Sequence, residues 1–146
     1  MPTAKEFVIW DDKYNVGIGF MDDQHQKLVG FTNELHKGVF ALEHDGYSKS
    51  REESFKEGVR AAVDYVKVHF AAEEELMRSM NYPKYAEHKG HHEEFVRRVL
   101  QDVARFGSGD KRVGLQFVYF LRDWLLEHIA IVDKEMSAYA KSKGSK

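Results

Sequence analysis

Apolar positions recur along the chain at intervals of three and four residues, in four blocks separated by short polar breaks. The first block, from about Asp22 to Leu42, puts His25, Leu28, Val29, Thr32, Leu35, His36 and Val39 on one face at helical spacing. The segment EHDGYSKS (43–50) breaks the pattern with Gly46 and small polar residues. Ser50 with Glu53 three residues on reads as a capping box, which predicts the start of a second helix running to about Met80. Its stripe carries Phe55, Val59, Ala62, Val63, Val66, His69, Phe70, Glu73 and Met77. After the turn MNYPKY, Pro83 suits the first turn of a third helix, where a missing N–H costs nothing. Tyr85, His88, His92, Phe95, Val96, Val99, Val103 and Phe106 form its amphipathic face. GSGD (107–110) is the last break. A fourth helix, about Lys111 to Ala140, carries Phe117, Phe120, Leu121, Trp124, Leu125, His128, Ile131 and Val132.

Four amphipathic helices with short connections predict an all-α, antiparallel up-down-up-down four-helix bundle. Residues 1–20, with WDDKYNVGIG, predict an extended N-terminal arm packed on it, and residues 141–146 a frayed tail. The 146 residues fit one domain, 1–146. The 22 basic and 24 acidic side chains leave a net charge of −2, and no basic stripe interleaves with aromatics, so nucleic-acid binding is not expected. The absence of cysteine removes disulfides, thiolate zinc sites, iron–sulfur clusters and thiol catalysis. The longest apolar stretch, 117–132, is interrupted by Arg122, Asp123, Glu127 and His128, so no membrane span is expected, and the default compartment is the cytoplasm.

Histidine is the anomaly, with eight in a chain that has two prolines. His25, His69, His88 with His92, and His128 place at least one imidazole on the inward stripe of every helix, and Glu73 shares a face with His69. One buried histidine is ordinarily a satisfied core residue. Five spread over four helices point instead to a shared metal site, the kind that bundle interiors build from facing helices. Levels match: His69 and Glu73 lie about ten residues before the turn and His88 and His92 within about ten residues after it, so the pairs meet at similar depth at 1.5 Å per residue. Five imidazoles and a carboxylate exceed one tetrahedral zinc site and are too rich in nitrogen for calcium or magnesium. They suit two borderline ions such as iron, bridged by carboxylates. The second bridge is open on spacing alone. Asp133 lies five residues after His128, about 140° around an α-helix, and reads equally as a solvated charge.

The set His25, His69-x-x-x-Glu73, His88-x-x-x-His92 and His128-x-x-x-x-Asp133 resembles the ligand signature of the hemerythrin family, in particular its bacterial members. The arm with Trp10 and VGI, the DDQHQKL run, the YP turn before His88 and WLLEHI around His128 are similar to that family as well. The segment EHDGYSKSRE is several residues longer than in typical members, and the tail is slightly extended. The resemblance implies two iron ions: His88, His92 and His128 on one, His25 and His69 on the other, with Glu73, Asp133 and an oxygen atom bridging. It also implies an oxygen pocket at positions such as Leu28, Trp124, Leu125 and Ile129, each within a turn of His25 or His128. One iron is a ligand short, which is where dioxygen binds and takes electrons. Neutral imidazoles favour the ferrous state and hence reversal. The implied activity is reversible dioxygen binding, for transport, storage, delivery or sensing, in a protein that is not an enzyme. The alternative is a redox or nitric-oxide sensor, or a di-iron peroxidase or oxidase, at the same site. Ferritin-like oxidases use two Glu-x-x-His pairs, and none stands at a suitable site here. An oxygen-consuming or signalling protein is the expected partner class. Of the remaining residues, His91 is expected to be solvated, His36 to lie in the core or at the bundle end about 16 Å from His25, His44 to lie in the loop, and Glu74 and Glu75 to form a charged surface.

Overall fold

The computed structural model describes residues 7–107, 109 and 112–144. Four helical rods follow one another: α1 (Gly19–His44), α2 (Lys49–Ser79), α3 (Tyr85–Gly107), and a last rod made of α4 (Val113–Glu127), a π-helical segment (His128–Asp133) and α5 (Lys134–Ser142). α1 packs on α2, α2 on α3, α3 on α4 and α4 back on α1, which closes the predicted four-helix bundle. No helix among the described residues is long and apolar enough to cross a membrane.

From Phe7 to Ile18 the chain is irregular apart from one 3₁₀ turn at Asp12–Tyr14. Val8, Val16 and Ile18 are buried. Asn33 holds the arm on α1 with both ends of its amide: Val8 N–H donates to Oδ1 at 2.7 Å and Nδ2 donates to the Val8 carbonyl at 2.9 Å. Gly17 has φ +87°, a conformation open to glycine, and turns the chain into the helix.

Several boundaries differ from expectation, each for a local reason. α1 begins at Gly19, three residues before Asp22, because the Asp22 carboxylate reaches back to accept from Val16 N–H (2.7 Å) and Gly17 N–H (3.1 Å) and so supports a turn already formed. α2 is capped by Ser48 and not by Ser50: Ser48 Oγ accepts from Arg51 N–H at 3.1 Å, and Arg51 in turn donates to the carbonyls of Asp45 and Gly46 at 2.9 Å. α3 begins at Tyr85, with Pro83 in the turn before it. His44 is the last residue of α1, against the Phe40 ring, and not a loop residue. Lys141 and Ser142 of the expected frayed tail are helical; Ser145 and Lys146 lie outside the described residues, as do residues 1–6 of the arm and Ser108, Asp110 and Lys111 of the last break and helix start.

The inward stripes are buried or half-buried as the spacing predicts, with two exposed exceptions. His36 is half-buried, its ring stacked on Phe7 of the arm at 4.1 Å. Val103 is exposed. Ile131 is 59% exposed while Asp133, two residues on, is wholly buried. The last inversion comes from the helix itself. Lys134 N–H bonds to the carbonyl of Ile129, five residues back, and in a turn closed by i→i+5 bonds residues five apart share a face. His128 and Asp133 therefore both point inward and Ile131 is turned out.

Candidate metal centre

His25, His69, Glu73, His88, His92, His128 and Asp133 converge in one layer of the bundle, all buried. On one side of this layer each helix presents an apolar residue one turn from its histidine: Leu28, Val66, Phe95 and Leu125, which line a cavity of about 20 Å³. On the other side lie Met21, Met77 and Met136, none with any exposure. Two rings fix two imidazoles face to face: Phe70 on His92 (centroids 3.8 Å apart, 5° between planes) and Trp124 on His128 (4.3 Å, 13°).

The contacts sort the seven into two groups. Glu73 Oε1 faces Nε2 of His92 (3.1 Å) and His88 (3.6 Å). Glu73 Oε2 faces Nε2 of His69 (3.2 Å) and His25 (3.5 Å). Asp133 divides in the same sense: Oδ1 faces His88 (3.1 Å) and His128 (3.2 Å), and Oδ2 faces His25 (3.0 Å). Each carboxylate thus gives one oxygen to the His88, His92 and His128 group and the other to the His25 and His69 group. One group has five donor atoms and the other four.

These atoms fit metal ions better than hydrogen bonds. Both oxygens of Glu73 and of Asp133, and Nε2 of His25, His88, His92 and His128, are buried without a hydrogen-bond partner among the described residues. So many orphaned donors and acceptors at one point are otherwise too costly to bury. Two donors about 2.1 Å from one ion and 90° apart lie about 3.0 Å from each other, close to the separations found. An all-nitrogen-and-oxygen set that includes five imidazoles suits a borderline ion such as iron.

Comparison with known proteins bears on the same residues. The family model described as the Hemerythrin HHE cation binding domain matches residues 16–140. The chain belongs to the hemerythrin family. It is 32% identical over 135 residues to a bacteriohemerythrin of Stenotrophomonas maltophilia, covering 92% of this chain and 82% of that one. With a bacteriohemerythrin of Pseudomonas aeruginosa it shares 37% over 122 residues, 84% of this chain and 74% of that one. The crystal structure of a wild-type hemerythrin superposes with a TM-score of 0.75 at 28% identity, covering 90% of this chain and 96% of that one.

Within this hemerythrin the remaining histidines stay out of the cluster. His91, expected in solvent, is half-buried in a small pocket with Tyr82, Glu87, His88 and Glu135, its ring 6.2 Å from that of His128. His36 is pushed toward the neutral form by burial and by the Arg122 charge. Of the four expected pocket residues, Leu28 and Leu125 line the cavity, Ile129 is fully buried, and Trp124 stacks on His128. Two residues of the site were not anticipated. Glu74, expected on the charged surface, accepts from His92 Nδ1 at 3.0 Å, and the amide oxygen of Gln24 accepts from His69 Nδ1 at 2.6 Å. Glu75 is on the surface as expected, bonded to Arg78.

In the polypeptide alone, burial pushes the His25 and His88 imidazoles toward neutrality, but the facing carboxylates of Asp133 and Glu73 outweigh it and raise both to about 9. Burial likewise opposes the charge on Glu73 and Asp133. For Glu73 the facing imidazoles of His69, His25 and His88 prevail; Asp133 is further opposed by Glu73, and His128 and His25 outweigh both. Burial lowers His128. The raised His25 and His88 thus favour positive charge beside the two carboxylates in the stripped chain, charge that a bound metal would supply instead. The sign of the pH dependence follows. A raised histidine stabilises the fold fully below about 6.5 and loses that contribution as pH rises through about 9. Chelator-stripped protein is therefore expected to lose melting temperature between pH 6.5 and 9. The depressed carboxylates remain ionised across that window, and their contribution is lost only in acid. Metal-loaded protein is expected to run the other way, because metal competes with protons for the same nitrogens. Melting curves of both forms at pH 6.5 and 9 check this; parallel slopes would contradict this charge assignment.

Proposed function

We propose that the chain holds two iron ions and binds dioxygen reversibly, as a carrier, store or sensor, and does not turn over a substrate. The observation that carries this is the division of Glu73 and Asp133, each with one oxygen toward the three-histidine group and the other toward the two-histidine group. His88, His92 and His128 would hold one ion and His25 and His69 the other, with Glu73 and Asp133 shared between them. Iron bound there supplies a pair of electrons that dioxygen can accept and give back.

The chain's own residues account for the rest. The four-donor group leaves more of its ion's coordination sphere to ligands from outside the protein than the five-donor group does. Five neutral imidazoles against two carboxylates keep the site's negative charge low, which favours reversal over further oxidation. Leu28, Val66, Phe95 and Leu125 form an apolar wall one turn away, around a small cavity whose one polar lining residue, Thr32, gives its hydroxyl hydrogen to the Leu28 carbonyl. Such a wall, with Trp124 and Ile129 beside it, limits solvent entry and loss of partly reduced oxygen. The family relatives named as bacteriohemerythrins support the same reading.

Metal analysis is expected to give about two irons per chain, the stoichiometry of two bridged groups. His91→Ala is expected to leave the visible spectrum of the oxygenated protein intact, and His92→Ala to abolish or shift it. The reverse result would overturn the assignment of the three-histidine group.

A further inference from the structure

The five imidazoles of the centre are not held alike. His69 donates its Nδ1 hydrogen to the neutral amide of Gln24, and His92 donates its Nδ1 hydrogen to the carboxylate of Glu74. His25 and His88 have a buried Nδ1 with no partner among the described residues. The two supported histidines fall one in each group. Each acceptor is also the chain neighbour of another cluster residue. Gln24 precedes His25 on α1 and reaches His69 on α2; Glu74 follows Glu73 on α2 and reaches His92 on α3. Placing one cluster residue therefore places the acceptor for the next helix. The Glu74 side chain is 17% exposed, at the inner edge of an open groove that Lys67 and Lys89 also line, and the Phe70 ring covers the face of His92.

We propose that Glu74 and Gln24 are positioning residues that make the two halves of the centre electronically unequal. The proposal rests on the di-iron reading above. A carboxylate on the far ring nitrogen draws the Nδ1 hydrogen toward itself and makes Nε2 a stronger donor to a metal. A neutral amide orients its ring without that push. The half with His88, His92 and His128 is thereby biased toward the ferric state. The half with His25 and His69, which has fewer protein donors, is left more easily ferrous.

The test exchanges charge while keeping shape, in the full chain, with Glu74→Gln and Gln24→Glu. Spectroelectrochemical titration of the iron-loaded protein is expected to show Glu74→Gln favouring the ferrous form about tenfold, about 59 mV upward for a one-electron step, and Gln24→Glu moving the opposite way. A role confined to packing moves neither. No shift in Glu74→Gln, or shifts of the same sign in both variants, would overturn the proposal. Gln24→Glu removes no cluster contact, so it keeps the test open if Glu74→Gln fails to fold. A second readout uses the zinc(II)-loaded chain, which has no redox chemistry. The Nδ1–H proton resonance of His92 is expected well downfield of that of His69 in the parent protein; coincident resonances would overturn the inequality. If the zinc-loaded protein behaves as expected while the iron-loaded protein fails to bind dioxygen reversibly, the oxygen-binding reading falls and the inequality of the two halves stands.

Discussion

Glu73→Ala is expected to empty both halves of the centre at once. Its two oxygens face four imidazoles, His92 and His88 on one side and His69 and His25 on the other, and it has no exposure to water. The neighbouring carboxylates do not take its place: Glu74 is committed to His92 Nδ1, and Glu75 lies on the surface with Arg78. Iron content is expected to fall to background, with loss of all visible bands. Stability of the stripped chain should fall as well, because His25 and His88 owe their charge in part to this carboxylate. Breaking a buried ion pair from one side costs about 3–5 kcal/mol, less here to the degree that the imidazoles give up their protons. Iron analysis and a denaturant titration read the two effects separately. Glu75→Ala serves as the control and is expected to change neither. Full iron retention in Glu73→Ala would contradict the bridging role.

The second large effect concerns the phase of the last helical rod. Asp133→Ala is expected to abolish iron retention, whereas Ile131→Lys is expected to leave it unchanged at a stability cost within about 0.5 kcal/mol, as for an ordinary exposed site. A regular α-helix from His128 predicts the reverse, since Ile131 would share the histidine's face and Asp133 would point away. The π segment exchanges the two, with Asp133 wholly buried against His25, His88 and His128. Metal analysis of the two variants decides between the phases. Metal loss in Ile131→Lys with retention in Asp133→Ala would place the rod in the α phase.

The same segment explains what could and could not be read from the chain. The five histidines were legible because α-helical spacing brings each of them onto a stripe of apolar residues, and the turn and break positions set their levels. Asp133 was not legible from spacing, because nothing in HIAIVD announces an i→i+5 turn; the resemblance to the family supplied it. Glu74 and Gln24 escaped for another reason. Both sit one residue from a cluster member, about 100° off its face, where a polar side chain ordinarily meets solvent. The signal available was indirect: an imidazole whose Nε2 faces a metal needs an acceptor at Nδ1, and the neighbouring helix at that level is where to seek it. The helix starts shifted by two or three residues because Asp22 and Ser48 bond to amides across the boundary, an effect of loop geometry that periodicity does not register.

The function proposed for this chain is a di-iron centre that takes up and releases dioxygen. The most direct test is the visible absorption spectrum of the iron-loaded protein through repeated cycles of anaerobic reduction, admission of air and removal of oxygen. Bands are expected to appear on oxygenation and vanish when oxygen is withdrawn, over several cycles without added reductant. A single irreversible conversion to a stable oxidised form, or a protein that takes up no iron, would contradict it.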